Sequence, residues 1–290
     1  MSNRPSTAGM SQSFRVTRFT QGEMQTLDDS CVLEAPLEIR LRLLSSTSQQ
    51  QVKTITWMCT MRTPGNDKAL VTGLLLTSGL ISHLSDIADI RELLDEKTAT
   101  PANIVLVTIN SKMNIDLDRI LRGQQANSSC GVCGQQYIDH LYQQRRDSVL
   151  SADISLQPEN IKTLVDVLSQ RQSLFAKTGG CHGVGLFDAQ GQLIDVQEDI
   201  GRHNALDKLI GQNAKLLIDA TQPFGMVISS RASFEILQKA AMLHLQFVIA
   251  IGAPSSLAIE VAKEMDMTLI AFVRNDEFNI YSGQQRLHLL

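Results

Sequence analysis

Apolar and polar positions alternate with period two early in the chain. Phe14-Arg15-Val16-Thr17-Arg18-Phe19 reads as a strand, Val32 to Leu43 as a strand broken at Pro36, and Val52 to Met61 as a third. The spacing then becomes helical over Asp67 to Ser78, with Asn66 placed to cap the start and Gly79 the end. A second helix is predicted near Asp86 to Lys97, ahead of the strand Ile104 to Ile109. These pieces make a small α+β domain over residues 13–122, preceded by a polar tail, residues 1–12, that reads as disordered.

Residues 123–136 hold little that could enter a core and read as a mobile segment around Ser128-Ser129-Cys130-Gly131-Val132-Cys133-Gly134. Beyond it, residues 137–290 are more regular. Tyr137, Ile138, Leu141 and Tyr142 have helical spacing. Pro158 suits a helix's first turn, with Ile161, Leu164, Val165 and Leu168 on one face. A hairpin follows over Gly183–Phe187 and Leu193–Val196. Helix Asn204–Ile210, strand Gly225–Ser229, helix Ser233–Leu245, strand Phe247–Ile251, helix Ser256–Met265 and strand Thr268–Val273 then alternate. Alternation of this kind predicts an α/β domain in which helices cover a mostly parallel sheet.

A net charge of −4 argues against a general nucleic-acid binder. No apolar run approaches the roughly 20 residues that span a bilayer, and Met1 to Thr20 lacks a signal peptide's apolar centre, so a cytoplasmic protein is expected. Five cysteines with one close pair are not a disulfide framework.

Four strands of the second half lead into polar clusters. These are Glu198-Asp199-Ile200-Gly201-Arg202-His203-Asn204, Ser229-Ser230-Arg231-Ala232-Ser233, Gly252-Ala253-Pro254-Ser255-Ser256 and Arg274-Asn275-Asp276-Glu277. Open α/β sheets bind ligands beyond the carboxyl ends of their strands, and helix N-termini favour anions. Arg202, Lys208, Arg231 and Arg274 could supply charge for a phosphate, and Asp276 or Glu277 could accept the donors of a guanine edge. Taken singly, each cluster reads better as an ordinary solvated loop; their joint placement reverses that and points to a phosphorylated, nucleotide-like ligand. His203 reads as a cap or a ligand group, His182 as a residue that lines the same site, and Cys181 as a small buried residue.

Cys130-x-x-Cys133 suits sulfur handling, because an accessible thiolate can hold sulfane sulfur and a second thiol can exchange with it. Zinc, redox exchange and two idle surface cysteines are the rivals. No second CxxC completes a zinc site, and no strand leads into the loop as in thioredoxin-like motifs. A cytidine-deaminase site is excluded: Ser129 precedes Cys130 where proline is required, and Val184 stands two after His182 where glutamate is required.

Together Ser129 to Gly134, Glu198 to Lys208, Ser230 to Glu235, Ala253 to Ala258 and Phe272 to Tyr281 resemble the formate dehydrogenase accessory sulfurtransferases, the FdhD family, from about Cys31 to Arg286. The resemblance implies a cytidine-deaminase-like three-layer domain without zinc, beside the smaller N-terminal domain. It implies that Cys130 accepts sulfur from a cysteine desulfurase as a persulfide, with Cys133 assisting. The sulfur then passes to the molybdenum cofactor, bis(molybdopterin guanine dinucleotide), for formate dehydrogenase. Family members are typically homodimers. The cofactor stretch maps onto Phe272, Val273, Arg274, Asn275, Asp276 and Glu277, joined by Arg202, His203, Ser230 and Arg231. Asn275 stands where a glycine is common, and Cys181 is unusual. A cofactor-binding chaperone with dispensable cysteines is the alternative.

Overall fold

The computed structural model describes residues 9–43, 53–94, 101–110, 154–274 and 277–288. Cys130, Cys133, Asn275, Asp276 and the stretch Tyr137–Tyr142 lie outside them.

The chain opens with an isolated ribbon, β1 (Ser11–Thr20) paired antiparallel with β2 (Glu23–Val32). Gln21 (φ 54°) and Gly22 (φ 90°) make its tight turn. β1 thus begins inside the stretch expected as a disordered tail, because its polar residues continue the ladder to Ser11 opposite Val32.

A four-stranded sheet follows: β3 (Ala35–Leu43), β4 (Lys53–Arg62), β5 (Ile87–Leu94) and β6 (Pro101–Ile109), in the order β4-β3-β6-β5. Pro36 sits as the second residue of β3, where it is tolerated. The helix predicted near Asp86 to Lys97 is replaced by β5. Its local preference is helical, but pairing Ile90 and Glu92 with Val107 and Val105 of β6 satisfies the backbone and settles the contest.

Helix α1 (Asp67–Thr77) ends as predicted. Gly79 takes φ 68° and donates to the Leu76 carbonyl, while Leu80 donates to that of Leu75. Its start differs. Asn66 is left-handed and does not cap; its side-chain amide donates to Gln197 Oε1 at 2.8 Å.

The second half contains α2 (Pro158–Arg171), α3 (Ser173–Thr178), β7 (His182–Phe187), β8 (Leu193–Asp199), α4 (Arg202–Gln212), α5 (Ala214–Ile218), β9 (Phe224–Ile228), α6 (Phe234–Met242), β10 (Leu245–Ala250), α7 (Ser256–Glu264), β11 (Thr268–Arg274) and β12 (Glu277–Ser282). The sheet order is β12-β11-β10-β9-β7-β8. β9, β10 and β11 are parallel, joined through α6 and α7. The β7–β8, β7–β9 and β11–β12 pairs are antiparallel. The sheet expected as mostly parallel is therefore mixed, with its parallel strands at the centre.

Both faces of this sheet are covered. Ile161, Leu164 and Leu168 of α2 pack with Val227, Phe247, Ile249 and Ile270 on one side. On the other, Met226, Ile228, Val248 and Leu269 join α4, α6 and α7. That second core continues through α1 to Leu37, Ile39 and Leu41 of β3, so the N-terminal unit shares it. Among the described residues, no helix is long and apolar enough to cross a membrane.

α1 meets α4 at two glycines. A Cβ on Gly73 would lie 1.9 Å from the Asp207 carbonyl oxygen, and one on Gly211 1.8 Å from that of Ala69. Backbone cannot yield as a side chain can, so Gly73→Ala or Gly211→Ala should each cost about 2 kcal/mol or more. Urea unfolding of each variant beside the native protein measures that loss.

Candidate functional site at the carboxyl edge of the sheet

Strand direction assembles the site. β8 and β9 are both antiparallel to β7, so they run the same way, and β10 and β11 run with β9. The carboxyl ends of four strands therefore meet at one edge. β7 starts there at His182, opposite Asp199, and β12 starts there at Glu277, opposite Arg274.

The loops at this edge interlock through backbone. Ala232 donates to the Ala253 carbonyl at 3.1 Å, Ser255 to that of Ala232 at 2.9 Å, Gly252 to that of Ser230 at 3.2 Å, and Phe272 to that of Gly252 at 3.3 Å. A Cβ on Gly252 would sit 2.9 Å from Arg231 Cα. Glycine is required there to let Ser230, Arg231 and Phe272 meet. Ser230 is buried and its hydroxyl donates to the Arg231 carbonyl at 3.2 Å, which fixes the loop. Arg231, Arg274 and Glu277 are exposed at the edge. Phe272 is 38% exposed and held at φ 57°, beside a register break in β11–β12. A bulky side chain in the left-handed region is costly and marks functional sites more often than chance. Val273 instead turns into the α2-side core, so its side chain cannot face a ligand at this edge.

The turn from β8 into α4 rests on buried charge. Asp199 Oδ2 lies 2.7 Å from Lys208 Nζ and accepts from the Thr63 amide at 3.1 Å, while Oδ1 accepts from Gly201 at 2.8 Å. Lys208 also donates to the Thr63 carbonyl at 2.7 Å. Lys208 is 1% exposed and fully engaged, which removes it from the proposed phosphate ligands. Sequence inspection offers no sign of this: only the fold brings Thr63 to Asp199.

Arg202 and His203 occupy the first turn of α4. Arg202 Nε and His203 Nε2 are enclosed and lack hydrogen-bond partners. Glu235 Oε2 is 3.9 Å from Nε2, too far to hydrogen-bond. Burial, then the Arg202 charge, lowers the His182 pKa. Burial, then Arg202 and Lys239, lowers that of His203 to about 4, against the pull of Glu235. At neutral pH this turn thus presents the Arg202 guanidinium, neutral imidazoles and a helix N-terminus, a set suited to an anion. Cys181 lies beside it but is inert: its thiol is buried and donates to Glu198 Oε1 at 3.4 Å, and both effects push its pKa well above the ordinary thiol range. Glu198 also accepts from the Leu174 and Phe175 amides, anchoring α3. Among the described residues, no three His, Cys, Asp or Glu side chains cluster as metal ligands would.

Residues 46–288 match the FdhD/NarQ family model. A protein of Corynebacterium efficiens named sulfur carrier protein FdhD is 38% identical over 278 residues, covering 93% of this chain and 95% of that one. Its namesake in Thermoplasma acidophilum is 41% identical over 227 residues, 78% of each chain. The crystal structure of a protein from Desulfotalea psychrophila, assigned as a formate dehydrogenase accessory protein, superposes with a TM-score of 0.66 at 20% identity. It covers 96% of this chain and 99% of its own, a likeness of fold.

Because His203 is neutral in the folded state down to about pH 4 but titrates near its ordinary value when unfolded, the unfolded chain binds more protons between those values. Stability from this group is present above pH 6.5 and is lost as pH falls toward 4. After allowance for solvent screening the loss is on the order of 1 kcal/mol. Comparing native protein with His203→Gln by urea unfolding between these pH values should show a flatter profile in the variant.

Proposed function

The chain belongs to the FdhD/NarQ family, and we propose that it is a sulfurtransferase that carries sulfur for formate dehydrogenase maturation. The observation carrying this is the match to sulfur carrier proteins over nearly the whole chain, in a sequence that contains Cys130-Gly131-Val132-Cys133. Cys130 thiolate attacks the terminal sulfur of a cysteine desulfurase persulfide. A new S–S bond forms on Cys130, the desulfurase S–S bond breaks, and its cysteine leaves as thiolate. Cys133 assists exchange. The Cys133 thiolate then attacks the Cys130 sulfur: an S–S bond forms between the two cysteines, the persulfide S–S bond breaks, and the outer sulfur leaves as sulfide for the bis(molybdopterin guanine dinucleotide) molybdenum cofactor, bound as substrate.

The carboxyl edge of the sheet supports the second half of this proposal. Arg202 and His203 meet phosphate oxygens, and Arg231 and Arg274 add charge from the neighbouring loops. Phe272 presents a ring, and Glu277 with Asp276 accepts from a guanine edge. Ser230 and Val273 contribute backbone rather than side chains, and Asn275 belongs to the same proposed cofactor stretch.

Incubation with a cysteine desulfurase and cysteine, followed by intact mass measurement, tests the first half. The native protein should gain sulfur mass that a reductant releases, and Cys130→Ala should gain none. No gain in the native protein would move the function to cofactor chaperoning without covalent sulfur, and an equal gain in Cys130→Ala would move the persulfide to another cysteine. For the second half, GDP binding by calorimetry should weaken about tenfold in Arg202→Ala, the loss of one charge-assisted contact.

A further inference from the structure

Arg202 and His203 sit side by side in the first turn of α4, and each holds an enclosed nitrogen without a partner, Nε and Nε2 respectively. Folded proteins rarely leave buried polar groups unmatched. The His203 ring is 36% exposed, and the Glu235 side chain beside it 57%, so a ligand entering from the edge can reach the ring.

Charge decides what that ligand is. The groups that act most on the His203 ring come from three elements: Arg202 on α4, Lys239 and Glu235 on α6, and His182 at the start of β7. Lys239 is already engaged. Its Nζ lies 2.8 Å from both Asp207 carboxylate oxygens and donates to Thr77 Oγ1 at 2.9 Å. Lys208, on the same helix as His203, is engaged by Asp199. His182 is neutral at pH 7, since burial and Arg202 both lower its pKa. Among the described residues of this turn, Arg202 is thus the cation that retains an open donor. It matches a singly charged oxyanion. A doubly charged one needs a second positive charge, and a proton on His203 is placed to supply it.

We infer that His203 sets the charge selectivity of this turn: a doubly charged phosphate or pyrophosphate group is bound together with one proton, which the His203 imidazole takes from solvent. The ring gains an N–H bond, becomes imidazolium, and donates from Nε2 to an oxygen of the anion. Without the anion the ring stays neutral, because Arg202 opposes its charge and Glu235, 3.9 Å away, compensates too weakly. With the anion, the opposite charge is supplied at the enclosed nitrogen itself. Linkage makes the effect mutual. An anion that strengthens proton binding is itself held more tightly as pH falls below neutral. The inference rests on the reading of this edge as a nucleotide site and is independent of Cys130.

Proton NMR of the His203 ring in the full chain, assigned by its loss in His203→Gln, tests this by titration from neutral pH downward. Without ligand the ring should be half-protonated at about pH 4. Saturating GDP should raise its proton affinity at least tenfold, moving the midpoint to about pH 5 or above. Guanosine, with the same base and no phosphate, should leave the midpoint at its free value. Cyclic GMP, singly charged, should raise the proton affinity less than about threefold. The exposed His83, in the N-terminal unit, should not respond to GDP. GDP that binds, as read by calorimetry, yet leaves the His203 midpoint unmoved would overturn this inference alone, and so would cyclic GMP or guanosine acting as strongly as GDP. Failure of GDP to bind the native protein would overturn the nucleotide reading of the edge and this inference with it.

Discussion

Asp199 and Lys208 form an ion pair from which water is excluded, and three segments depend on it. Asp199 ends β8, Lys208 lies two turns into α4, and Thr63, bonded to both, follows β4. Removing one partner of a buried pair leaves an uncompensated charge and typically costs 3–5 kcal/mol. The pair fixes the turn that presents Arg202 and His203, so the edge of the six-stranded sheet takes its shape from contacts with the N-terminal unit.

α4 divides its residues by face accordingly. Asn204, Asp207, Lys208 and Gly211 recur at helical spacing and point toward α1 and the strands before it. Asp207 is fully buried, accepts from Thr77 of α1 and from Lys239 of α6, and so joins three helices. Burial raises its pKa, while Lys239 and Thr77 pull the other way. Two cations and two carboxylates are thereby neutralised inside the protein. Arg202 and His203, one turn earlier, retain unengaged donors. This separation of structural from available polar groups makes the edge receptive to an anion. The strained Phe272 and the glycine contact at Gly252 complete it from the opposite side of the strand order.

Much of this was legible in the chain. The alternation of helices and strands from Pro158 onward determined the α/β layers, since apolar runs bounded by turn residues leave few other ways to bury themselves. The same pattern placed polar clusters after four strands, and hence Arg202, His203, Ser230, Arg231 and Arg274 at one edge. Sequence also carried the Cys130-x-x-Cys133 spacing, which no packing is needed to read. Local propensity misled at Ile87–Leu94, where pairing with β6 outweighed helix preference, and at Asn66, whose amide serves Gln197 rather than a cap.

Tertiary structure alone decided which polar residues are free. Lys208 and Arg202 look equivalent as letters, yet one is consumed by Asp199 and Thr63 and the other is not. It decided too that Val273 faces the core, that Gly73 and Gly211 must be glycines, and that β1 and β2 stand out as a ribbon. The physical reason is common to all of these. Periodicity and residue chemistry are local and survive in the sequence, whereas burial and many hydrogen-bond partners depend on where the chain returns in space, as with Thr63 and Asp199, 136 positions apart.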